Sequence, residues 1–347
     1  MPSKSFSALK ARLAYEQLRN LKLKISNLHD SEGVEEPDVD SMDPGFEQQL
    51  DVMLHLLESM LEDSRVPAPE GFKQQLEVML HLLKSKLEES QSLTFSGVTD
   101  QTSAKLNITL AGILDLKPNL EKRIAETISL GQDEFWSSAN LYRQLHVLEG
   151  LLPGTKEASS RAWIDTFFFR VSAMLPPSQR MVLNMEHTAS ATTISPSSSS
   201  TLSGFVDYTV VVADQRDAAF FRDTPDLNIL KFLRATGFFV IQAKLNNPSH
   251  HVPHAVAEIY ACGKFLQKKI LRGALTNGRD WIFILVTFND NFDGATYKQS
   301  DVISIIHNED SDGKIVIPGP RPDLIAAILL HWVENSFADL GNDDWFE

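Results

Sequence analysis

Two short apolar runs in the C-terminal half of the chain carry polar residues that a buried strand would have to accommodate. Residues 204–208 read GFVDY and residues 238–244 read FFVIQAK, which places Asp207 in one run and Gln242 and Lys244 in the other. Side chains two residues apart on a strand share a face, so Gln242 and Lys244 are expected to project together. The two runs therefore predict neighbouring strands that carry an acid, an amide and a lysine.

These three residue types suit a divalent metal and a phosphate. Mg²⁺ prefers hard oxygen ligands and keeps several waters, so Asp207, the Gln242 amide oxygen and a phosphate oxygen would satisfy it. Lys244 would then orient the attacking water or stabilise charge in the transition state. In the alternative interpretation, Gln242 and Lys244 lie on an exposed strand face and Asp207 forms a turn or a salt bridge. Asp and Lys are rarely buried without partners, which favours the site.

The periodicity of the second half predicts an order of helices and strands around these runs. An amphipathic helix ends before Pro176 and Pro177, and a serine-rich loop separates the next two strands. The predicted helices cover residues 156–174, 217–236, 252–271 and 323–337. The predicted strands cover residues 181–188, 202–212, 238–245, 281–288, 302–306 and 314–317.

This order resembles the PD-(D/E)XK, or restriction-endonuclease-like, phosphodiesterase superfamily over residues 156–288. The family core is a helix, three strands, a crossover helix and a fourth strand, which implies an α+β or α/β fold with an αβββαβ core and a mixed central sheet. The resemblance implies that Asp207 and Gln242 bind Mg²⁺ or Mn²⁺, that Lys244 is the catalytic lysine and that Glu157 is an accessory acid and metal ligand. The chain is also similar to nuclease-like domains of fungal Crinkler-type proteins.

One residue departs from the common family pattern. Gln242 stands where a carboxylate is commoner, so a negative charge is missing and weaker Mg²⁺ binding is expected unless Glu157 or Glu186 compensates. Two hypotheses follow. The C-terminal part is a metal-dependent nuclease acting on DNA or RNA, or it is a catalytically weak or inactive nuclease-like fold that binds proteins or nucleic acid.

Residues after the motif are candidates for substrate binding. Arg161, one turn beyond Glu157, pairs with that acid or with phosphate, and a cluster of Asn246, Asn247 and three histidines is expected to form a loop over the site. A basic series at helical spacing suggests a phosphate track, although a solvated helix face has the same pattern. The predicted substrate-binding residues are Glu258, Tyr260, Lys264, Lys268 and Arg272, with Lys269 in the same basic series. The three histidines are His250, His251 and His254.

Composition limits the partners and the compartment. The 347 residues carry a formal net charge of −14, whereas proteins that hold nucleic acid nonspecifically usually have a basic face. The single cysteine, Cys262, excludes a disulfide within one chain and favours a reducing compartment. No apolar run approaches the ~20 residues of a membrane helix. We therefore expect a cytoplasmic or nuclear protein that does not enter a membrane.

An internal repeat defines the N-terminal region. Residues 45–57 recur almost unchanged as residues 71–83, with apolar residues on one helix face and prolines between the copies. This predicts an all-helical N-terminal region whose helices recruit a protein partner or a second copy of the chain. The predicted divisions are an N-terminal helix and acidic linker (1–44), a duplicated helical hairpin (45–92), a helical linker region (93–154), a nuclease-like domain (155–338) and an acidic tail (339–347).

Overall fold

A mixed nine-stranded sheet organises the part of the chain that the structure describes. The computed structural model describes residues 93–347 apart from 133–134, 154–155, 194–200, 232, 234, 236, 245–246, 306–307 and 310–314. A boundary at Leu93 divides the chain into two units, and the second unit, Leu93–Glu347, is compact and contains all the described residues. The predicted N-terminal helix, acidic linker and duplicated hairpin lie outside the described residues.

The second unit combines the sheet with eight α-helices among its described residues. The strands are β1 (Leu93–Thr94), β2 (Ile108–Leu114), β3 (Gln179–Thr193), β4 (Thr201–Asp214), β5 (Gly237–Ala243), β6 (Ile270–Thr276), β7 (Asp280–Phe288), β8 (Ala295–Ser300), β9 (Ile303–Ser304), β10 (Asn308–Glu309) and β11 (Ile315–Val316). The helices are α1 (Asp100–Lys105), α2 (Glu121–Ile128), α3 (Ser138–Leu151), α4 (Glu157–Met174), α5 (Gln215–Asp223), α6 (Leu227–Leu230), α7 (Val252–Leu266) and α8 (Arg321–Glu334).

The strand order of the large sheet is β1-β4-β5-β6-β7-β8-β2, with β3 paired to β4 and β9 paired to β7. Strands β3, β4 and β5 form an antiparallel meander, whereas β5 and β6 are parallel. Parallel neighbours need a crossover, and α7 provides it. Strands β10 and β11 form a separate antiparallel pair. The prediction of an α+β chain with a mixed central sheet is confirmed.

Both faces of β5 are covered, which explains its uninterrupted apolar sequence. All seven of its residues are buried. Phe239 and Ile241 pack in one apolar layer with α4 and α8. Phe238 and Val240 pack in the other layer with α7. The end of β5 therefore emerges between two cores, where Gln242 and Lys244 lie.

The predicted order helix, three strands, helix, strand is seen in α4, β3, β4, β5, α7 and β6, but one boundary was wrong. The helix predicted for residues 252–271 ends at Leu266, because Gln267 adopts a left-handed conformation with φ of 55°. The chain then enters β6, so the predicted strand at residues 281–288 is the fifth of the core instead of the fourth. The helical insert is divided into α5 and α6.

The segments predicted as a helical linker and an acidic tail belong to this fold. The linker region contains β2, which pairs in parallel with β8 at the end of the sheet. In the tail, Trp345 and Phe346 are buried in the same apolar layer as α4 and α8. Asp343 is also buried. Among the described residues, no helix is both long and apolar enough to cross a membrane.

Candidate functional site

Asp207 is joined directly to the end of β5. The backbone N–H of Ala243 donates to Asp207 Oδ2 at 2.8 Å, and the Gln242 side-chain amide donates to the same oxygen. The Gln242 amide also donates to the Ala243 carbonyl at 3.1 Å, which holds its side chain along the strand. The two apolar runs therefore meet as the sequence predicts, with the acid and the amide in contact.

The charge of Asp207 depends on several neighbours. Burial raises the pKa of its carboxyl group, and the negative charge of Glu157 acts in the same direction. The Ala243 N–H, Lys244 and Arg161 act in the opposite direction and lower that pKa. Glu157 and Lys244, which the sequence predicts to join Asp207, thus lie close enough to influence its ionisation.

Arg161 on α4 is shared by three carboxylates. Its Nη2 lies 3.5 Å from Asp207 Oδ1 and 3.5 Å from Glu157 Oε1, and its Nη1 donates to Glu186. The hydrogen bond to Glu186 is the largest cause of a raised pKa for Arg161. The guanidinium therefore already provides a positive charge where the sequence predicts a metal ion.

Lys244 lies just beyond β5 but keeps its place beside the sheet. Its backbone N–H donates to the Thr276 carbonyl of β6 at 2.8 Å. Its ammonium charge opposes the burial that raises the pKa of Asp207, and it adds to the burial that lowers the pKa of His251 and His254. The lysine thus stands between Asp207 and the beginning of α7.

A buried acid and a histidine on α7 complete the cluster. The Glu258 side chain has no exposed surface, and His254 Nε2 lies 3.0 Å from its Oε1. Neither carboxylate oxygen of Glu258 has a hydrogen-bond partner. Burial and the charge of Asp207 raise the pKa of Glu258 well above its usual value, while burial and Lys244 lower that of His254 to about 3.

The other residues predicted to bind substrate are placed differently. Tyr260 is buried, and its ring stacks on Phe288 with 5.1 Å between centroids. Lys264 Nζ lies 3.5 Å from the Tyr260 hydroxyl, and Lys268 Nζ lies 4.4 Å from the centre of the Phe337 ring. Tyr260 therefore contributes to the apolar layer under α7 and offers no surface to a substrate.

The basic series does not form one helical stripe, so that prediction was wrong. Arg272 lies on β6, where it is buried and forms an ion pair of 2.7 Å with Asp343. It also donates to the carbonyls of Ala338 and Asp339. Its role is to hold the C-terminal segment against the sheet, because a buried guanidinium with these partners cannot reach a phosphate.

The loop predicted to cover the site is seen in part. His250 and His251 belong to a short 3₁₀ helix, Pro248–His251, that precedes α7. Asn247 caps this helix by accepting a hydrogen bond from the Ser249 N–H at 3.0 Å. Asn246 lies outside the described residues. The histidine that meets an acid is His254, and its four-residue spacing from Glu258 on a helix was the available signal.

Oxygen donors suited to a hard cation are present. Asp207 and Gln242 are in contact, and the Gln242 amide oxygen is buried without a hydrogen-bond partner. The Glu157 carboxylate lies 3.5 Å from Arg161 Nη2, and its role as a third ligand remains a prediction. Its position as the first residue of α4 is also explained by the favourable helix dipole. Within the described ranges, no three His, Cys, Asp or Glu side chains form a metal-binding group.

No protein-family model matches the chain, and no curated protein matches it at a significant level.

Proposed function

We propose that the unit Leu93–Glu347 is a metal-dependent phosphodiesterase of the PD-(D/E)XK type that hydrolyses nucleic acid. The observation that carries this proposal is the contact of Asp207 with Gln242 and Ala243, with Lys244 one residue further along the same chain segment. The succession of α4, β3, β4, β5, α7 and β6 supports it, because it is the order of elements expected for that family.

Each residue has a role that follows from its position. A bound Mg²⁺ or Mn²⁺ would supply a water of lowered pKa and would neutralise charge on the phosphate. Asp207 and Gln242 would hold it, and the Ala243 N–H keeps the Asp207 carboxylate oriented. Lys244 presents an ammonium group beside them that can bind a phosphate oxygen. Arg161 restrains Glu157 and Glu186 at the edge of the site.

One observation favours a second candidate, a nuclease-like fold that binds without cleaving. Both oxygens of Asp207 already face donors of the protein, Arg161 on one side and the Gln242 and Ala243 N–H groups on the other. Such a site is closed to a metal unless these donors move. In this case the unit would bind a phosphate-bearing ligand or a protein partner and would have no turnover.

The deciding experiment is a cleavage assay on the full-length protein. Single- and double-stranded DNA and RNA would be incubated with Mg²⁺, Mn²⁺ or a chelator, and Lys244→Ala would be compared with Lys122→Ala, an exposed lysine on α2. Loss of one group that stabilises transition-state charge typically costs about 10²- to 10³-fold in rate. We expect that loss in Lys244→Ala and a normal rate in Lys122→Ala.

The other outcomes are equally informative. Metal-dependent cleavage that survives Lys244→Ala would contradict this site. Binding of an oligonucleotide without cleavage in any metal would favour the second candidate.

A further inference from the structure

Several buried oxygen atoms near Asp207 lack hydrogen-bond partners. They are both carboxylate oxygens of Glu258, the amide oxygen of Gln242 and the hydroxyl oxygen of Thr209. Glu258 and Thr209 have no exposed surface, and Gln242 is 3% exposed. Burying a polar group without a partner costs on the order of 1–3 kcal/mol, and more for a charged one. Such groups in a native protein call for a buried water or an ion.

These oxygens belong to the same layer of the molecule. Phe238 and Val240 face α7 from β5, and Gln242 continues their two-residue spacing. Val211 faces α7 from β4, and Thr209 continues that series in the same way. Asp207 joins this group through its contact with the Gln242 amide. Glu258 comes from α7 itself, and the charge of Asp207 acts on its ionisation. Buried oxygen atoms from two strands and one helix are therefore expected on the same side of the sheet, towards α7.

His254 adds a nitrogen to this group of acceptors. Its Nε2 lies 3.0 Å from Glu258 Oε1, and no hydrogen bond is formed to either carboxylate oxygen. Two ligands bound at right angles, each about 2.1 Å from one ion, are about 3 Å apart. The 3.0 Å separation is therefore one that two ligands of a single ion would have.

We propose that His254 and Glu258 bind a divalent cation such as Mn²⁺ between α7 and the ends of β4 and β5. The imidazole nitrogen favours a transition-metal ion over Mg²⁺, and the carboxylate oxygen is a ligand that suits Mn²⁺. No third His, Cys, Asp or Glu joins them in the described part of the chain. The remaining positions would go to water, to the amide oxygen of Gln242 or to substrate, and open positions are typical of catalytic sites.

This inference rests on the proposed function and deepens it, because the ion would lie next to the contact of Asp207 with Gln242 and would use the Gln242 amide oxygen. Binding of the ion can nevertheless be measured whether or not the protein cleaves nucleic acid. The two proposals can therefore fail separately.

The test is titration of the full-length protein with Mn²⁺, followed by isothermal calorimetry and by the electron paramagnetic resonance signal of the free ion. Glu258→Gln and His254→Ala would be compared with Glu334→Gln on α8 and His146→Ala on α3. We expect one ion per wild-type chain, an affinity at least tenfold lower in the first two variants and unchanged affinity in the controls. Thermal melting without metal would check that each variant is folded.

Three results would overturn the proposal. The first is a wild-type protein that binds no Mn²⁺. The second is normal Mn²⁺ affinity in Glu258→Gln. This result would mean that Glu258 is a protonated, buried side chain, whose shape glutamine reproduces. The third is an Asp207→Asn variant that loses Mn²⁺ binding while Glu258→Gln and His254→Ala bind normally. This result would assign the ion to the Asp207 site and leave the proposed function intact. Binding through Glu258 without cleavage would instead contradict the proposed function alone.

Discussion

Arg161 offsets the electrostatic repulsion among the three carboxylates of the candidate site. Glu157, Glu186 and Asp207 all approach its guanidinium, and Asp207, at 15% side-chain exposure, is the most buried of the three acids. Ion pairs between exposed groups contribute little, but a network around a partly buried acid contributes more. The guanidinium therefore stabilises three carboxylates whose negative charges would otherwise repel one another.

Replacement of Arg161 by glutamine tests this balance. We expect Arg161→Gln to lower the free energy of unfolding by about 1 kcal/mol at low ionic strength, because three carboxylates lose their common counter-charge. Mn²⁺ should restore the stability, since a cation can replace the missing charge. Urea denaturation with and without Mn²⁺ measures both effects.

The matched control is Arg222→Gln, which removes an exposed pair with Asp223. Its stability should change by less than about 0.5 kcal/mol. Equal losses in the two variants, or no response of Arg161→Gln to Mn²⁺, would contradict the role assigned to Arg161.

At the level of single residues, the sequence could predict the meeting of Asp207 with Gln242 because both follow from local strand patterns. The environment of Glu258 could not be predicted in the same way. Its burial depends on how α7 lies across the sheet, and a helix reading AVAEIYAC tolerates an acid equally well on an exposed face. The ion pair of Arg272 could not be predicted either, because its partner Asp343 lies 71 residues away in the sequence.

The packing of α7 on β6 depends on the absence of side chains at two glycines. A Cβ atom on Gly273 would lie 2.5 Å from Ile259 Cδ1 and 2.7 Å from the Val240 carbonyl oxygen. A Cβ atom on Gly263 would lie 2.5 Å from the Phe288 ring. These glycines allow the helix to approach the sheet closely, which positions His254 and Glu258 above the ends of β4 and β5.

Gly273→Ala should therefore disturb the helix position. We expect a loss of about 1–3 kcal/mol, the usual cost of overpacking a core, because the carbonyl oxygen of Val240 is backbone and cannot rotate away. Thermal or urea denaturation gives the magnitude, and Mn²⁺ titration shows whether the α7 ligands have moved. Gly150→Ala on α3 is the control, since a Cβ atom there meets nothing within 4 Å. Equal stability of the two variants would show that α7 is not held by this contact.

The boundary between α7 and β6 also explains why the sequence predicts one long helix there. Helices often end at a glycine in the left-handed conformation, whereas here Gln267 takes that conformation with no glycine or proline nearby. The run from Phe265 to Leu271 keeps apolar and basic residues at spacings that also suit a helix. Pairing of β6 with β5 and β7 ends the helix, and that pairing is a tertiary effect that local patterns do not reveal.

At the scale of the whole unit, the C-terminal segment closes the side of the sheet opposite α7. Trp345 and Phe346 pack into the layer of α4 and α8. Asp343 accepts hydrogen bonds from the backbone N–H groups of both, at 2.8 and 2.9 Å, and pairs with Arg272. Backbone hydrogen bonds also join Asp115 and Glu347, so the segment bridges distant parts of the chain. Residues 339–347, which the sequence predicts to be an acidic tail, thus complete the core.

His331 on α8 makes this closure sensitive to pH. Burial lowers the pKa of its ring, and the positive charges of Arg272 and Arg123 lower that pKa further. The negative charges of Asp343 and Asp344 act in the opposite direction but do not outweigh burial. In the unfolded chain the ring takes up a proton near its ordinary pKa of about 6.5, whereas in the folded protein it stays neutral to lower pH. The unfolded state therefore binds more protons below pH ~6.5, and stability falls as the pH is lowered through that value.

We expect His331→Gln to lack this part of the acid sensitivity. Urea denaturation of the wild type and the variant between pH 8 and pH 5 gives the difference in unfolding free energy. The wild type should lose more stability than His331→Gln as the pH falls below 6.5, and the difference between them should stay constant above it. His146→Gln, which replaces an exposed histidine on α3, should parallel the wild type throughout. Parallel curves for His331→Gln and the wild type would mean that His331 is protonated equally in both states and that the closure of the C-terminal segment does not depend on its neutral form.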